Sequence, residues 1–189
     1  MMTKANSPVV IVLASGRGER FVAAGGTGSK LRALLAGKPL LERTLDAVRA
    51  SGLPWHLEDA GHPGMGDSIA AAVRATPDAA GWLILPGDLP LVQPATLQAV
   101  AAALNGRVNA VQPQYKGERG HPVAFAAGCR AQLAVLDGNL GASSVLRSMR
   151  AIDSVVDLAV DDVGVVTDID TPEGLARAEA LWLERAGVN

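Results

Sequence analysis

At 189 residues the chain has the length of one domain able to bury a substantial core, and no linker, repeat or composition shift divides it. Its 17 Lys and Arg stand against 19 Asp and Glu, a formal net charge of -2, so no broad positive field would draw nucleic acid or an anionic membrane. Hydrophobic residues at 49% exclude disorder, and aromatics at 3% leave few rings on which single-stranded bases could stack.

Pro8 to Ala14 is a β-branched run bounded by turn formers, the pattern of a strand buried on both faces. It is too short for a signal h-region or a membrane span, so a cytoplasmic protein is expected. A glycine-rich loop follows, from Ser15 to about Lys30. Pro39 in a first turn and Leu41, Leu45 and Val48 on one face predict a helix that stops at Ser51-Gly52. Trp55 to Glu58 reads as a short strand, and Asp67 or Ser68 as the cap of a helix ending before Pro77. Trp82 to Leu85 is the second buried strand. Pro94 opens a helix to about Leu104, Val108 to Gln112 reads as strand, and the loop from Tyr115 to Gly120 leads into Pro122 to Phe125. Helices are expected over Arg130 to Leu136 and Ala142 to Met149, a strand over Val155 to Val160, and a terminal helix from the cap segment Asp168 to Glu173 to about Gly187. The lone Cys129 precludes an internal disulfide, fits a reducing compartment and reads as a small buried residue. Alternating strands and helices predict a mostly parallel sheet with ligands at the strands' carboxyl ends, and the two buried strands should bring Gly16 and Asp88 to one crevice.

Glycines just after a parallel strand let backbone N–H groups approach phosphate oxygens, and Arg20 and Lys30 add positive charge there. Two familiar phosphate loops are excluded. The dinucleotide fingerprint needs glycine where Phe21 stands, and a P-loop needs Ser or Thr where Leu31 stands. Asp88, at the end of an apolar strand, suits Mg2+, which takes one or two carboxylates together with substrate phosphates. Asp168 and Asp170 offer a second carboxylate source. Arg119, Gly120 and His121 suit an anionic acceptor, whereas His56 and His62 lack partners at metal-ligand spacing and read as structural.

In chain order, Val12-Leu13-Ala14-Ser15-Gly16-x-Gly18-x-Arg20, Lys30, Gly37-Lys38-Pro39-Leu40, Gly64-Met65-Gly66-Asp67-Ser68, Gly87-Asp88-Leu89-Pro90, Arg119-Gly120-His121-Pro122 and Asp168-Ile169-Asp170-Thr171-Pro172-Glu173 resemble the motifs of MobA-like nucleotidyltransferases. The likeness runs over about residues 8 to 182 and is nearest to the molybdenum cofactor cytidylyltransferases. It implies a three-layer α/β/α fold with a mostly parallel twisted sheet, Rossmann-like, in a single domain. Only one short strand fits between Gly52 and Gly64, so the sheet is expected to be shortened by about one βα unit.

By the same resemblance, Leu13, Ala14, Ser15, Gly16 and Gly18 would hold the nucleotide with Gly87, while Gly66 and Ser68 line its base. Arg20 and Lys30 would grip the triphosphate, Asp88 and Asp170 would bind Mg2+, and Arg119, Gly120 and His121 would face a pterin acceptor. The implied reaction moves a nucleoside monophosphate, CMP from CTP, onto a phosphorylated acceptor such as molybdenum cofactor, with a molybdoenzyme as partner. Ala14-Ser15, where guanylyl-transferring members tend to have two glycines, would narrow the pocket against a purine. Alternatives are guanylyl transfer, transfer to a sugar phosphate, and a non-catalytic cofactor carrier; the retained Arg20, Lys30, Asp88 and Asp170 argue against the last.

Overall fold

The computed structural model describes residues 7–16 and 18–187; the segment 1–6, position 17 of the glycine loop and the last two residues lie outside them. In chain order the elements are β1 (Val9–Leu13), the short helix α1 (Glu19–Ala23), β2 (Leu34–Leu35), β3 (Lys38–Pro39), α2 (Leu40–Ser51), β4 (Trp55–Glu58), α3 (Met65–Ala75) and β5 (Gly81–Pro86). There follow α4 (Pro94–Ala103), β6 (Ala110–Tyr115), β7 (Glu118–Arg119), β8 (Val123–Ala126), α5 (Arg130–Leu133), α6 (Ser143–Ala151), β9 (Val155–Ala159) and α7 (Pro172–Ala186).

The seven-stranded sheet runs β4-β1-β5-β8-β6, with β9 along the far side of β6 and β7 on its carboxyl end. β1 lies parallel between β4 and β5, and β9 is parallel to β6. β8 is antiparallel to both neighbours, so the strands flanking it point the same way and the sheet is mostly parallel. The short strand after α2 pairs directly with β1, Val10 opposite Trp55, where a right-handed crossover through α2 delivers it.

Three layers follow from the pleat. In β1, Val10 and Val12 face Leu45 and Val48 of α2 and Leu97 and Val100 of α4. Ile11 and Leu13 face the other way, toward Ile69 and Val73 of α3, Leu133 of α5 and Met149 of α6. β5 splits likewise, Leu83 and Leu85 against Trp82 and Ile84, because successive side chains on a strand alternate faces. A smaller core joins Leu35, Leu40, Leu91, Ile169 and Ala178, seating α7 against the β2–β3 hairpin.

Several local expectations are corrected. The segment from Ser15 to Lys30 contains α1 and leads into a 3-10 turn over Lys30–Arg32, so it is not a bare loop. Pro39 ends β3, paired with Leu34, and stands before α2 instead of inside its first turn. α3 starts at Met65 behind Gly64: Asp67 accepts from the Gly138 N–H, and the Ser68 hydroxyl donates back to Gly64, so neither caps it. α5 ends at Leu133, three residues short of Leu136. α7 opens as expected, with Thr171 Oγ1 accepting from the Gly174 N–H at 3.0 Å.

One structural knot was not legible beforehand. Asp162, 2% exposed, accepts from the N–H of Gln93 and Gly164, the Thr96 hydroxyl and the Arg185 guanidinium. Asp162→Ala leaves two buried donors unpaired and takes from Arg185 its carboxylate, leaving it the Leu91 carbonyl, and is expected to cost about 3 kcal/mol, as for breaking a buried charged network. A urea titration checks it; a loss within about 0.5 kcal/mol would remove Asp162 from the framework.

Candidate active site

The site is assembled by short ties between strand ends. The Ala14 N–H and the Ser15 hydroxyl both donate to the Glu58 carbonyl, which pins the start of the glycine loop to the end of β4. The Gly87 N–H donates to the Leu13 carbonyl at 2.9 Å, and a Cβ on Gly87 would lie 2.9 Å from that same oxygen, so a larger residue would push the two strand ends apart. The buried Thr44 hydroxyl donates to the Gly87 carbonyl from α2. Asp88 is thereby delivered on a rigid step. Its own carbonyl accepts from the Ile169 N–H at 3.3 Å, drawing the segment from Asp168 to Asp170 alongside.

Glycine is required at position 18 for two reasons. Its φ is +65°, and a Cβ there would stand 3.0 Å from Lys30 Cβ. The close approach lets Lys30 reach inward.

Lys30 Nζ lies 2.6 Å from Asp88 Oδ2 and 2.7 Å from Asp170 Oδ1, and Arg20 holds the other Asp170 oxygen at 2.8 Å. Four residues separated by as many as 150 positions thus form one charged network. Asp88 Oδ1 is buried and has no hydrogen-bond partner among the described residues. Hydrogen bonding from Lys30 holds the Asp170 carboxyl below the usual range, and Arg20 adds to it. Burial works against the Lys30 ammonium, but Asp88 and Asp170 outweigh it and raise its pKa.

The network opens into a cavity of about 850 Å³ at the carboxyl ends of β1 and β5. Leu13, Ser15, Gly16 and Gly18 line it with Gly87 and Asp88; Arg20, Lys30, Asp168 and Asp170 stand on its charged side. Ser68, at the α3 end, and Arg119, Gly120 and His121, at the β7 end, complete the expected set. Two expected residues do not reach the wall. Ala14 is held in the ladder by Glu58, and Gly66 packs against Asp137, whose carbonyl oxygen would be 2.4 Å from a Cβ. The narrowing ascribed to Ala14 and Ser15 therefore rests on Ser15 alone. His62, read as structural from the sequence, does line the cavity.

Gly120 packs too tightly on Val165 to carry a side chain, and the His121 N–H donates to the Val165 carbonyl at 2.9 Å. Burial lowers the His121 pKa despite Asp88 and Asp168 nearby, so the ring is neutral at pH 7. Arg119 is tied to Asp157, which Arg150 also grips. Those bonds, Arg150's foremost, hold Asp157 at about 2, so the carboxylate contributes stability above the unfolded value near 3.9 that is lost as pH falls toward about 2. Asp157→Asn is expected to lower Tm by roughly 2–4 °C at pH 7 and by nothing near pH 2, which thermal melts at the two pH values would show. An equal deficit at both would sever the effect from ionisation.

The donor set fits a divalent cation. Two carboxylates converge on one cation position, Asp88 Oδ1 is orphaned beside it, and both supply hard oxygen ligands. Among the described residues no group of three His, Cys, Asp or Glu could enclose a metal. No helix among them is long and apolar enough to cross a membrane.

The bifunctional protein GlmU of Alkalilimnicola ehrlichii is 28% identical over 134 residues, 59% of this chain and 28% of that protein, so the chain spans little more than a quarter of that relative. The Rv0371c protein of Mycobacterium tuberculosis H37Rv superposes with a TM-score of 0.76 at 26% identity, over 95% of this chain and all of that one. Molybdopterin-guanine dinucleotide biosynthesis protein A of Archaeoglobus fulgidus shares the fold at a TM-score of 0.61 and 21% identity, over 93% and 99% of the two chains. The family model described as the MobA-like NTP transferase domain matches residues 45–155. That match takes in the segment from His62 to Ser68, Asp88 and the Arg119–His121 loop, which together build much of the cavity, and the chain belongs to the MobA-like NTP transferase domain family.

Proposed function

We propose that the protein transfers CMP from CTP to a phosphorylated acceptor of the pterin type, molybdenum cofactor, with release of pyrophosphate and with Mg2+ as the metal. The observation that carries the reading is Lys30 held between Asp88 and Asp170 beside a glycine loop. Such a site serves a phosphate chain that brings its own cation. An acceptor phosphate oxygen bonds to the α-phosphorus of the nucleotide while the bond to the bridging oxygen breaks and pyrophosphate departs. No protein nucleophile is needed, so the residues act by alignment and by neutralising developing charge.

Each group has a place in that step. Asp88 and Asp170 would hold Mg2+, which when bound neutralises charge on the reacting phosphoryl oxygens. Lys30 and Arg20 move from carboxylate to phosphate as the triphosphate enters, and backbone N–H groups of the Ser15 to Gly18 loop cradle its oxygens. Arg119 stands at the other end of the cavity as the cation for an anionic acceptor, with neutral His121 beside it as a hydrogen-bonding group. Competition binding with Mg2+ present tests the base: CTP is expected to bind about tenfold tighter than GTP, the scale of a size-based selection. Equal or tighter GTP binding would overturn cytidylyl transfer and leave nucleotidyl transfer standing.

A further inference from the structure

Nucleotidyl transfer leaves one buried acid without a task. Glu58 ends β4 with its side chain 7% exposed, a costly place for a carboxylate unless it is paired. Among the described residues the carboxylate accepts one hydrogen bond, at Oε1, from the Ala60 N–H at 3.1 Å. Two imidazoles flank it: His62 Nε2 stands 3.3 Å from Oε1, and His56 Nε2 3.5 Å from Oε2. His62 Nε2 is buried and has no hydrogen-bond partner among the described residues, although its ring lines the cavity.

The cavity is divided by charge. Among the described residues, Arg20, Lys30 and Arg119 are the cations on its wall, while the stretch formed by His62, Pro63, Gly64, Met65, Ser68 and Asn139 contributes no Lys or Arg. A nucleoside triphosphate is divided in the same way. With its phosphates fixed at the cationic side, its nucleoside falls against His62.

We propose that His62, oriented by Glu58, reads the nucleobase and selects one bearing an exocyclic amino group over uracil. This rests on the nucleotidyltransferase reading. A carboxylate oxygen 3.3 Å from Nε2 offers an acceptor there, which favours the tautomer with the proton on Nε2 and leaves Nδ1 as an acceptor. A base amino group donates to it; the uracil carbonyl at that place would oppose one lone pair with another. The loose 3.3 Å contact tightens into an aligned Nε2–H to Oε1 bond when a base fills the cavity, as apo contacts commonly do. Glu58 is the positioning residue and His62 the specificity residue. His56, which does not line the cavity, is a control.

CTP and UTP share one ring size, so their ratio isolates this contact from packing. Equilibrium binding of CTP, UTP and inorganic tripolyphosphate, each with Mg2+, is measured on the parent and on Glu58→Gln, His62→Asn and His56→Ala, with thermal melts to verify folding. The parent is expected to prefer CTP about tenfold, the scale of one unsatisfied polar contact. Glu58→Gln and His62→Asn each reduce the ratio to within about twofold and leave tripolyphosphate affinity unchanged, whereas His56→Ala keeps the ratio. A merely structural role would move melting temperature and not the ratio. No preference in the parent, or a ratio preserved in both variants, overturns the inference alone. A parent that binds neither nucleotide nor tripolyphosphate overturns the nucleotidyltransferase reading instead.

Discussion

Asp88→Asn is expected to lower pyrophosphate release by roughly 10³-fold with the fold intact, the scale for removing a preorganised charge from a phosphoryl-transfer site. The amide keeps the side chain's size, and the Asp88 carbonyl still accepts from the Ile169 N–H. Lys30 still has Asp170 to pair with. What disappears is the negative charge on a side chain whose Oδ1 is buried and unpartnered, the atom best explained as waiting for a cation. A steady-state pyrophosphate assay with a thermal melt checks both halves. Turnover within about tenfold of the parent would remove Asp88 from the charge-handling role.

The second large effect concerns Lys30, which occupies the place between the carboxylates that a divalent cation would take. Lys30→Met should lower turnover by about 10²–10³-fold, because the triphosphate loses a positive partner in the cavity. It should also raise affinity for Mn2+ in the absence of nucleotide by about tenfold, since no ammonium has to be displaced. Without metal, the two carboxylates then lose the ammonium between them, and Arg20 is left to compensate Asp170 alone. A loss of roughly 2 kcal/mol is expected at pH 7, less than for a fully buried pair because Asp170 is partly solvated. The pH dependence has a definite sign. Asp170 is depressed in the folded parent, chiefly by its bond from Lys30, so its contribution is present above about pH 3.9 and is lost as pH falls through the folded value. The gap between parent and variant should therefore narrow in acid. Melts with titrated Mn2+ test the displacement; equal stabilisation of the two proteins by Mn2+ would contradict it.

Much of the scaffold could be read from the chain because strands buried on both faces leave continuous apolar runs, as Val9 to Leu13 and Trp82 to Leu85 do. α2, α4 and α7 were marked by apolar spacing, Pro or a terminal glycine. The β2–β3 hairpin and α1 were not, since elements of two to five residues carry no period to detect. The direction of β8 was hidden for another reason: an apolar run says that a strand is buried, not which way its neighbours run.

Motif order named Lys30, Asp88 and Asp170 separately, but their convergence depends on ties no local pattern records, such as the Ile169 N–H bonded to the Asp88 carbonyl. Glu58 and Asp162 carry no signal of their own because each looks ordinary in its own segment, and His62 reads as structural because it has no partner at metal-ligand spacing. The available signal was a carboxylate closing a short strand beside β1, with a histidine four residues later. Gly66 is a different case. It sits in a motif that resembles a base-binding segment, yet its space is filled by Asp137.

Nucleotidyl transfer is defined by which bond of the nucleotide is broken. CTP labelled separately at the α- and the γ-phosphate, incubated with the protein, Mg2+ and a phosphorylated pterin, discriminates directly. The prediction is α-label transferred to the acceptor in equal amount to pyrophosphate carrying the γ-label, with both lost in Asp88→Asn. Release of γ-label as single phosphate, or α-label remaining in CTP at every acceptor concentration while the labelled nucleotide is bound, would contradict it.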